Sequence, residues 1–204
     1  MNHIKLFDLQ YFGTIYWFTE MVKCKHVYFL PSEGFRKMSF RNRTIVSGSN
    51  GTINLSVPVE KGRNQKSAFG DIKISYSTPW QAMHWNTLTS CYGKSPFFEF
   101  YKYGLRNLFE EKSQWLFTHN LGILNWLIKT MKLPVTIQVL ENGDINGFTD
   151  VRDICLPKNY LHFQPCPAYP QVFEDRVGFI PNLSILDLLF NTGPEAGNIL
   201  NQFR

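Results

Sequence analysis

Two periods run through the apolar positions of this chain, and together they divide it into strands and helices. Ile4 to Leu9 and His26 to Leu30 are short strand-like runs, and Gly13 to Lys23 between them is an aromatic-rich stretch long enough for a short helix. Strand, helix and strand in that order predict a β-α-β unit, whose two strands lie parallel. Arg43 to Val46 and Thr52 to Val57 flank GSNG, where Asn50 and Gly51 are expected to supply the positive φ angles of a tight hairpin. A further strand is expected at Asp71 to Tyr76, after the polar loop EKGRNQKS.

The middle of the chain changes to helical spacing. Thr78 and Pro79 read as the N-cap and first helical residue of PWQAMHWNTLTSCY, which Gly93 closes. Ser95 and Pro96 repeat that signal for SPFFEFYKYGLRNLFEE. From Asn120 to Met131, the side chains of Leu121, Leu124, Leu127, Ile128 and Met131 share one face, and the pattern stops before Pro134. Pro134 to Leu140 returns to strand, with a turn around Asn142 and Gly143 after it. In NLSILDLLFNTGPE, Ser184 with Asp187 three residues on approximates a capping box, and Gly193 with Pro194 ends the helix. The sum predicts one domain over residues 1–204, of α/β or α+β class. It combines a mixed β-sheet, the N-terminal β-α-β unit, the hairpin and a central helical block packed on the sheet.

Composition agrees with a folded chain: 44% hydrophobic and 18% charged residues lie far from the balance that keeps a chain disordered. The net charge of +5 is unevenly placed. Residues 1–63 hold nine Lys and Arg against four acids, whereas residues 64–204 are balanced, so an anionic partner is expected near the first third. Cys24, Cys91, Cys155 and Cys166 include no C-x-x-C pair, so no metal site or disulfide framework is assigned. MNHIKLFDLQYFG lacks the features of a signal peptide and no apolar run approaches eighteen residues; a cytoplasmic protein is the expectation.

No G-x-x-x-x-G-K-[ST], G-x-S-x-G, H-E-x-x-H or G-x-G-x-x-G is present, and no cofactor is expected. The candidate site is EGFRKMSFRNRT, with Arg36, Lys37, Arg41 and Arg43 as binders of an anion. The guanidinium fork suits phosphate or carboxylate, and Asn42 can orient a carbonyl. An edge strand guarded by charge is the plain alternative. His84, in WQAMHW, shares a helix face with Trp80, Leu88 and Cys91; it is a candidate general base or a histidine held by a backbone carbonyl. Asp187 reads as a capping residue before a ligand-binding one, and Asp150 and Asp153 as a solvated loop before a cation site.

The order of these features resembles the WbqC-like protein family. The resemblance rests on QYFGTIYWF, on RKMSFRNRTI followed by NGTINLSVPV, on W-x-x-x-H-W leading to SCYGKSPFFEFY, and on YPQVFEDRVGFIPNLSILDLLFNTGPE. It extends from about Gln10 to Glu195, and Asn42 and Arg43 fall on the family's N-R element. The resemblance implies a bacterial role in surface-polysaccharide (O-antigen, lipopolysaccharide) biosynthesis, with transfer of an aminoacyl group such as glycine as the implied activity. On that reading Arg36, Lys37, Arg41 and Arg43 hold an anionic donor, nucleotide-linked or phosphate-bearing, Asn42 orients its carbonyl, and His84 takes a proton from a sugar acceptor. The alternatives are a non-catalytic binding module for a nucleotide sugar or glycan intermediate, and a tRNA-binding protein.

Overall fold

A computed structural model describes residues 4–60, 67–141 and 143–203. The first strand β1 (Ile4–Leu6), helix α1 (Ile15–Met21) and strand β2 (His26–Phe29) form the expected unit, with Lys5 and Leu6 in parallel register with Val27 and Tyr28. Thr14 caps α1, its hydroxyl accepting from the Trp17 N–H. Strand β3 (Arg43–Gly48) and β4 (Gly51–Ser56) make the hairpin, paired from Arg43–Ser56 to Gly48–Gly51. Its two turn residues are Ser49 and Asn50, and the positive φ falls on Gly51 alone, at 119°, rather than on Asn50 as well.

Three long helices follow: α2 (Trp80–Tyr92), α3 (Phe98–Glu110) and α4 (Leu116–Met131). Pro79 takes the cap position of α2, one residue later than the sequence indicated, and no side chain caps it. Ser95 closes α2 rather than opening α3, since its hydroxyl donates to the Tyr92 carbonyl at 2.7 Å. Lys132 ends α4 in the left-handed conformation, φ 52°, where two carbonyls of the last turn receive its N–H. Strands β5 (Thr136–Val139) and β6 (Phe148–Asp150) return to the first unit, and the chain closes with α5 (Glu174–Val177), α6 (Ile185–Thr192) and α7 (Glu195–Asn201). Ser184 caps α6, as its sequence predicts, by accepting from the Leu186 N–H.

Parallel and antiparallel pairings both occur, but in separate sheets. The four strands in the order β5-β2-β1-β6 are all parallel, and the hairpin stands apart as a two-stranded sheet. The strand expected at Asp71 to Tyr76 is absent. Phe69–Asp71 is a 3-10 turn, and the stretch after it makes only isolated bridges, Ile74 to Val59 and Lys73 to Trp115. Those bridges let it link the hairpin exit to the start of α4 while Ile72 and Ile74 enter the core. The loop around residues 61–66 and the turn position Asn142 lie outside the described residues. Among the described residues, no helix is long and apolar enough to cross a membrane.

One large apolar core joins sheet and helices. Phe7, Val27 and Phe29 meet Phe18 and Met21 of α1, Leu124 and Leu127 of α4, and Leu186 and Leu189 of α6. A smaller cluster, Phe40, Ile45, Cys155, Tyr160 and Leu183, sits where the loop after β6 crosses the foot of the hairpin. The Gly51 backbone, at φ 119°, is closed to a β-branched residue. Gly51→Val is therefore expected to cost more than about 1 kcal/mol, read as a lower urea midpoint at unchanged m-value.

Candidate functional site

The carboxyl ends of the parallel strands carry the charged residues of the site. Asp8 follows β1, Glu33 follows β2, and Asp150, Arg152 and Asp153 end or follow β6. Into this ring of acids turns Arg41, only 1% exposed. Its Nε and Nη2 donate to the two oxygens of Glu33 at 3.0 and 2.9 Å, and its Nη1 donates to Asp153 Oδ1. Arg152 donates to Glu33 at 3.2 Å and to both oxygens of Asp150. Asp153 adopts φ 58°, a left-handed conformation uncommon for a residue with a side chain; from it the carboxylate reaches Arg41 and the N–H reaches Asp8 at 3.4 Å. Burial pushes the Asp8 carboxyl up, against the opposing charge of Arg41. Asp150 is solvated as its sequence suggests, its side chain 45% exposed while paired with Arg152, whereas Asp153 is drawn inwards by Arg41.

Outside this buried cluster lies a groove of about 550 Å³. Its walls are the loop after β2, the outer face of the hairpin and the segment after β6, and they bring Arg36, Lys37, Arg43 and Lys158 together. None of the residues lining it is acidic. Arg36 is shared with the cluster, 3.4 Å from Asp153, and half exposed. Thr52, Asn54 and Tyr160 add polar groups, and Met38, 64% exposed at φ 56°, forms a lip. The Nε of Arg43 is sealed from solvent and has no hydrogen-bond partner among the described residues. A slightly larger cleft of about 600 Å³ lies at the start of α2 and the end of α3, but its cations are already engaged. There Arg106 pairs with Glu110 over the Trp85 ring, and Lys112 lies over Tyr76.

Of the residues singled out in the sequence, Arg36, Lys37 and Arg43 therefore share the groove, and Arg41 does not: it faces the interior. Asn42 braces the hairpin, its amide donating to the Val57 carbonyl at 3.0 Å while its own carbonyl accepts from the Val57 N–H. His84 lies in the core, 4% exposed and outside the groove lining. Its Nδ1 is 2.9 Å from the Tyr11 hydroxyl, the Ser56 backbone bonds to the ring as well, and burial pulls its pKa down to about 4. His119, stacked on Tyr11 with 6.0 Å between centroids, is pulled down to about 4 for the same reason. Asp187 accepts from the hydroxyls of Tyr92 and Tyr169, each at 2.7 Å, so its side chain joins α2 and the 169 loop to α6 instead of capping its own helix.

The model of the WbqC-like protein family matches residues 10–158 and 156–199. The chain belongs to the WbqC-like family. No curated protein and no solved structure matches it. Within this WbqC-like chain, the match spans the groove residues and most of the charged cluster, with Asp8 just ahead of it. Lys158, Asp8 and Glu33 are site residues that sequence reasoning did not single out; nothing local marks Lys158, while the other two follow strands. Their position directly after the first two strands of a β-α-β unit is the signal that would have found them, because ligands of open parallel sheets bind outside the carboxyl ends of the strands.

Breaking the central pair leaves buried carboxylates without their cation. Arg41→Met is expected to lower stability by about 3–5 kcal/mol, measured by denaturant unfolding. Arg41→Lys, which keeps the charge and loses the fork, falls between it and the natural protein. The two histidines set an acid limit with a defined sign. Their unfolded pKa is near 6.5 and the folded values are about 4, so the unfolded chain binds more protons in this interval and stability falls as pH drops from about 6.5 towards about 4. Asp8, Glu33 and Asp187, pushed up by burial, oppose this at the acid end as they protonate. The difference in unfolding free energy between the natural chain and His119→Leu, followed from pH 7 to 4, is expected to shrink by on the order of 1–3 kcal/mol.

Proposed function

We propose that this WbqC-like protein is a transferase of bacterial surface-polysaccharide assembly that holds the phosphate-bearing end of an activated donor in the basic groove. The donor carries an acyl group, such as glycine's, for transfer to a sugar acceptor. The observation that carries the reading is the groove itself: four cations, no acid, and a position outside the carboxyl ends of a parallel sheet. Arg43 supports it further, because it lines the groove and forms no salt bridge among the described residues, so its guanidinium is not committed to a protein acid. The apolar patches of Ile45, Leu156 and Pro157 suit an organic donor better than a bare inorganic ion. The basic lining is confined to four cations around about 550 Å³, which favours a small anion over a long nucleic acid such as tRNA.

In this reading Arg36, Lys37, Arg43 and Lys158 bind, whereas Arg41 and Asn42 fix the loop and hairpin that present them. His84 acts through position: as a neutral ring bonded to Tyr11 and Ser56 it ties α2 to the β4 end and to the loop after β1. A glycan-binding module without turnover would use the same groove, and kinetic assay of acyl transfer separates the two.

Pyrophosphate titrated by calorimetry is the first test. The natural protein is expected to bind it, Arg43→Ala and Lys158→Ala to lose at least about tenfold in affinity, and Arg43→Lys to lose part of it because the fork is gone. Equal affinity across all four proteins would remove the groove as the anion site. His84→Gln, in the same titration, is expected to bind pyrophosphate normally while unfolding at lower temperature.

A further inference from the structure

The sheet order β5-β2-β1-β6 contains a reversal. From β1 the chain moves to β2 on one side, while β6 flanks β1 on the other, so a crevice opens between the carboxyl ends of β1 and β6. A cavity of about 30 Å³ lies there, lined among others by Asp8, Tyr16, Trp17, Glu20, Ile154 and Cys155. We propose that this crevice binds the primary ammonium group of a small organic amine, with Asp8 as its counter-charge and the rings of Tyr16 and Trp17 as its walls. The assignment goes beyond the groove reading and stands without it.

Charge decides the class of ligand. Four carboxylates gather at this end of the sheet; Glu33, Asp150 and Asp153 are each in a salt bridge with arginine. Asp8 is in none among the described residues, although it is only 2% exposed. It accepts from two uncharged donors, the Gln10 amide at 3.1 Å and the Asp153 N–H at 3.4 Å. Arg41 opposes the Asp8 charge only through its field, since its own N–H groups donate to Glu33 and Asp153; burial, with the Asp153 charge beside it, still pushes the Asp8 carboxyl up, and a directly bonded cation would relieve it. The second acid of the lining, Glu20, is neutralised by Lys5 and Lys23, and no Lys or Arg is among the lining residues. An anion therefore has no partner in the crevice, and a cation has one.

Size and walls narrow the class further. A cavity of about 30 Å³ has room for an amino group or a water or two, too little for a sugar ring or a phosphate. Tyr16 and Trp17 line it beside Phe7 and Val151, so the walls around the acid are mostly apolar and a cation there is shielded from water. The Trp17 indole donates to the Asp8 carbonyl at 3.0 Å, which fixes both the ring and the acid. The chain leaving β6 then joins this crevice to the groove: Ile154 and Cys155 line the one, and Leu156, Pro157 and Lys158, directly after them, line the other. An amine held by Asp8 thus lies beside an anion held by the groove.

Proton–nitrogen NMR tests the assignment, with methylammonium chloride as probe. The expected result is saturable shifts of the Trp17 indole and of the Asp153 and Cys155 amides; methanol, neutral and of similar size, and tetramethylammonium, too large, are expected to give none. An equal response to ammonium chloride would mean that free ammonium rather than an organic amine is the ligand, and would overturn the proposal as stated. Asp8→Asn is expected to weaken methylammonium by at least about tenfold. Should that variant fail to fold, Ile154→Trp, at a position 42% exposed on the crevice wall, is expected to block the probe while leaving the fold intact. Unchanged methylammonium shifts in the variant that folds, or equal shifts with methanol, would overturn it. Arg43→Ala keeps methylammonium and loses pyrophosphate if both sites are as assigned, so a failure of the groove and a failure of the crevice give different patterns.

Discussion

The arrangement of this protein depends on one guanidinium placed where water does not reach. Arg41 is among the largest fully buried side chains, and a buried cation costs several kcal/mol unless its donors are satisfied and its charge is balanced. Both conditions are met by residues far apart in sequence. Glu33 comes from the loop after β2, Asp153 from the loop after β6, and Asp8 adds its field from the end of β1. The Arg41 carbonyl accepts from Asn120 of α4 at 2.7 Å, so the helical block is tied to the same point. Three strand ends and a helix are thus held in register by a residue whose removal would leave its acids exposed to one another in a medium of low polarity.

That inward commitment also explains why the groove is basic. The first third of the chain has a surplus of cations, and the acids available to it are few. Arg41 takes Glu33 and most of Asp153, and Arg152 takes Asp150 together with a share of Glu33. Arg36 is left with a single long contact to Asp153, and Lys37, Arg43 and Lys158 with no acid in the groove wall. The surface charge is therefore a consequence of how the interior is neutralised. A substitution that frees Glu33 would be felt in the groove as well as in the core.

Local pattern revealed most of the elements, because helically spaced apolar residues and a hairpin around GSNG announce themselves within a few residues, although the caps expected at Thr78 and Ser95 are not formed. The β-α-β start, the Ser184 cap and the family resemblance were legible for the same reason. The 71–76 segment was misread: alternation of Ile72 and Ile74 marks a half-buried extended chain, but whether such a chain finds a continuous partner depends on distant residues. The basic segment shows the same limit. Period-two spacing would put Arg41 and Arg43 on one face, yet β3 begins only at Arg43, and Arg41, two residues earlier, is free to turn inwards. His84 was recognised as a titratable ring among apolar neighbours; that Tyr11 and Ser56 hold it required the loop after β1 and the end of β4 to be brought beside α2.

The small apolar cluster beneath the site gives these charges their fixed positions. Ile45 and Tyr160 belong to it and line the groove, while Cys155 belongs to it and lines the crevice. Phe40, next to Arg41, packs edge-on against Tyr160 with 6.1 Å between ring centroids. Burial pushes the Cys155 thiol up to about 12, so it behaves as a packing group bonded to Thr14 rather than as a nucleophile. Long basic side chains carry considerable rotamer entropy, and binding is weakened by whatever part of it must be lost. A floor that is close-packed on one side and ion-paired on the other fixes the backbone from which Arg43 and Lys158 extend, leaving only their outer bonds to be ordered by a ligand.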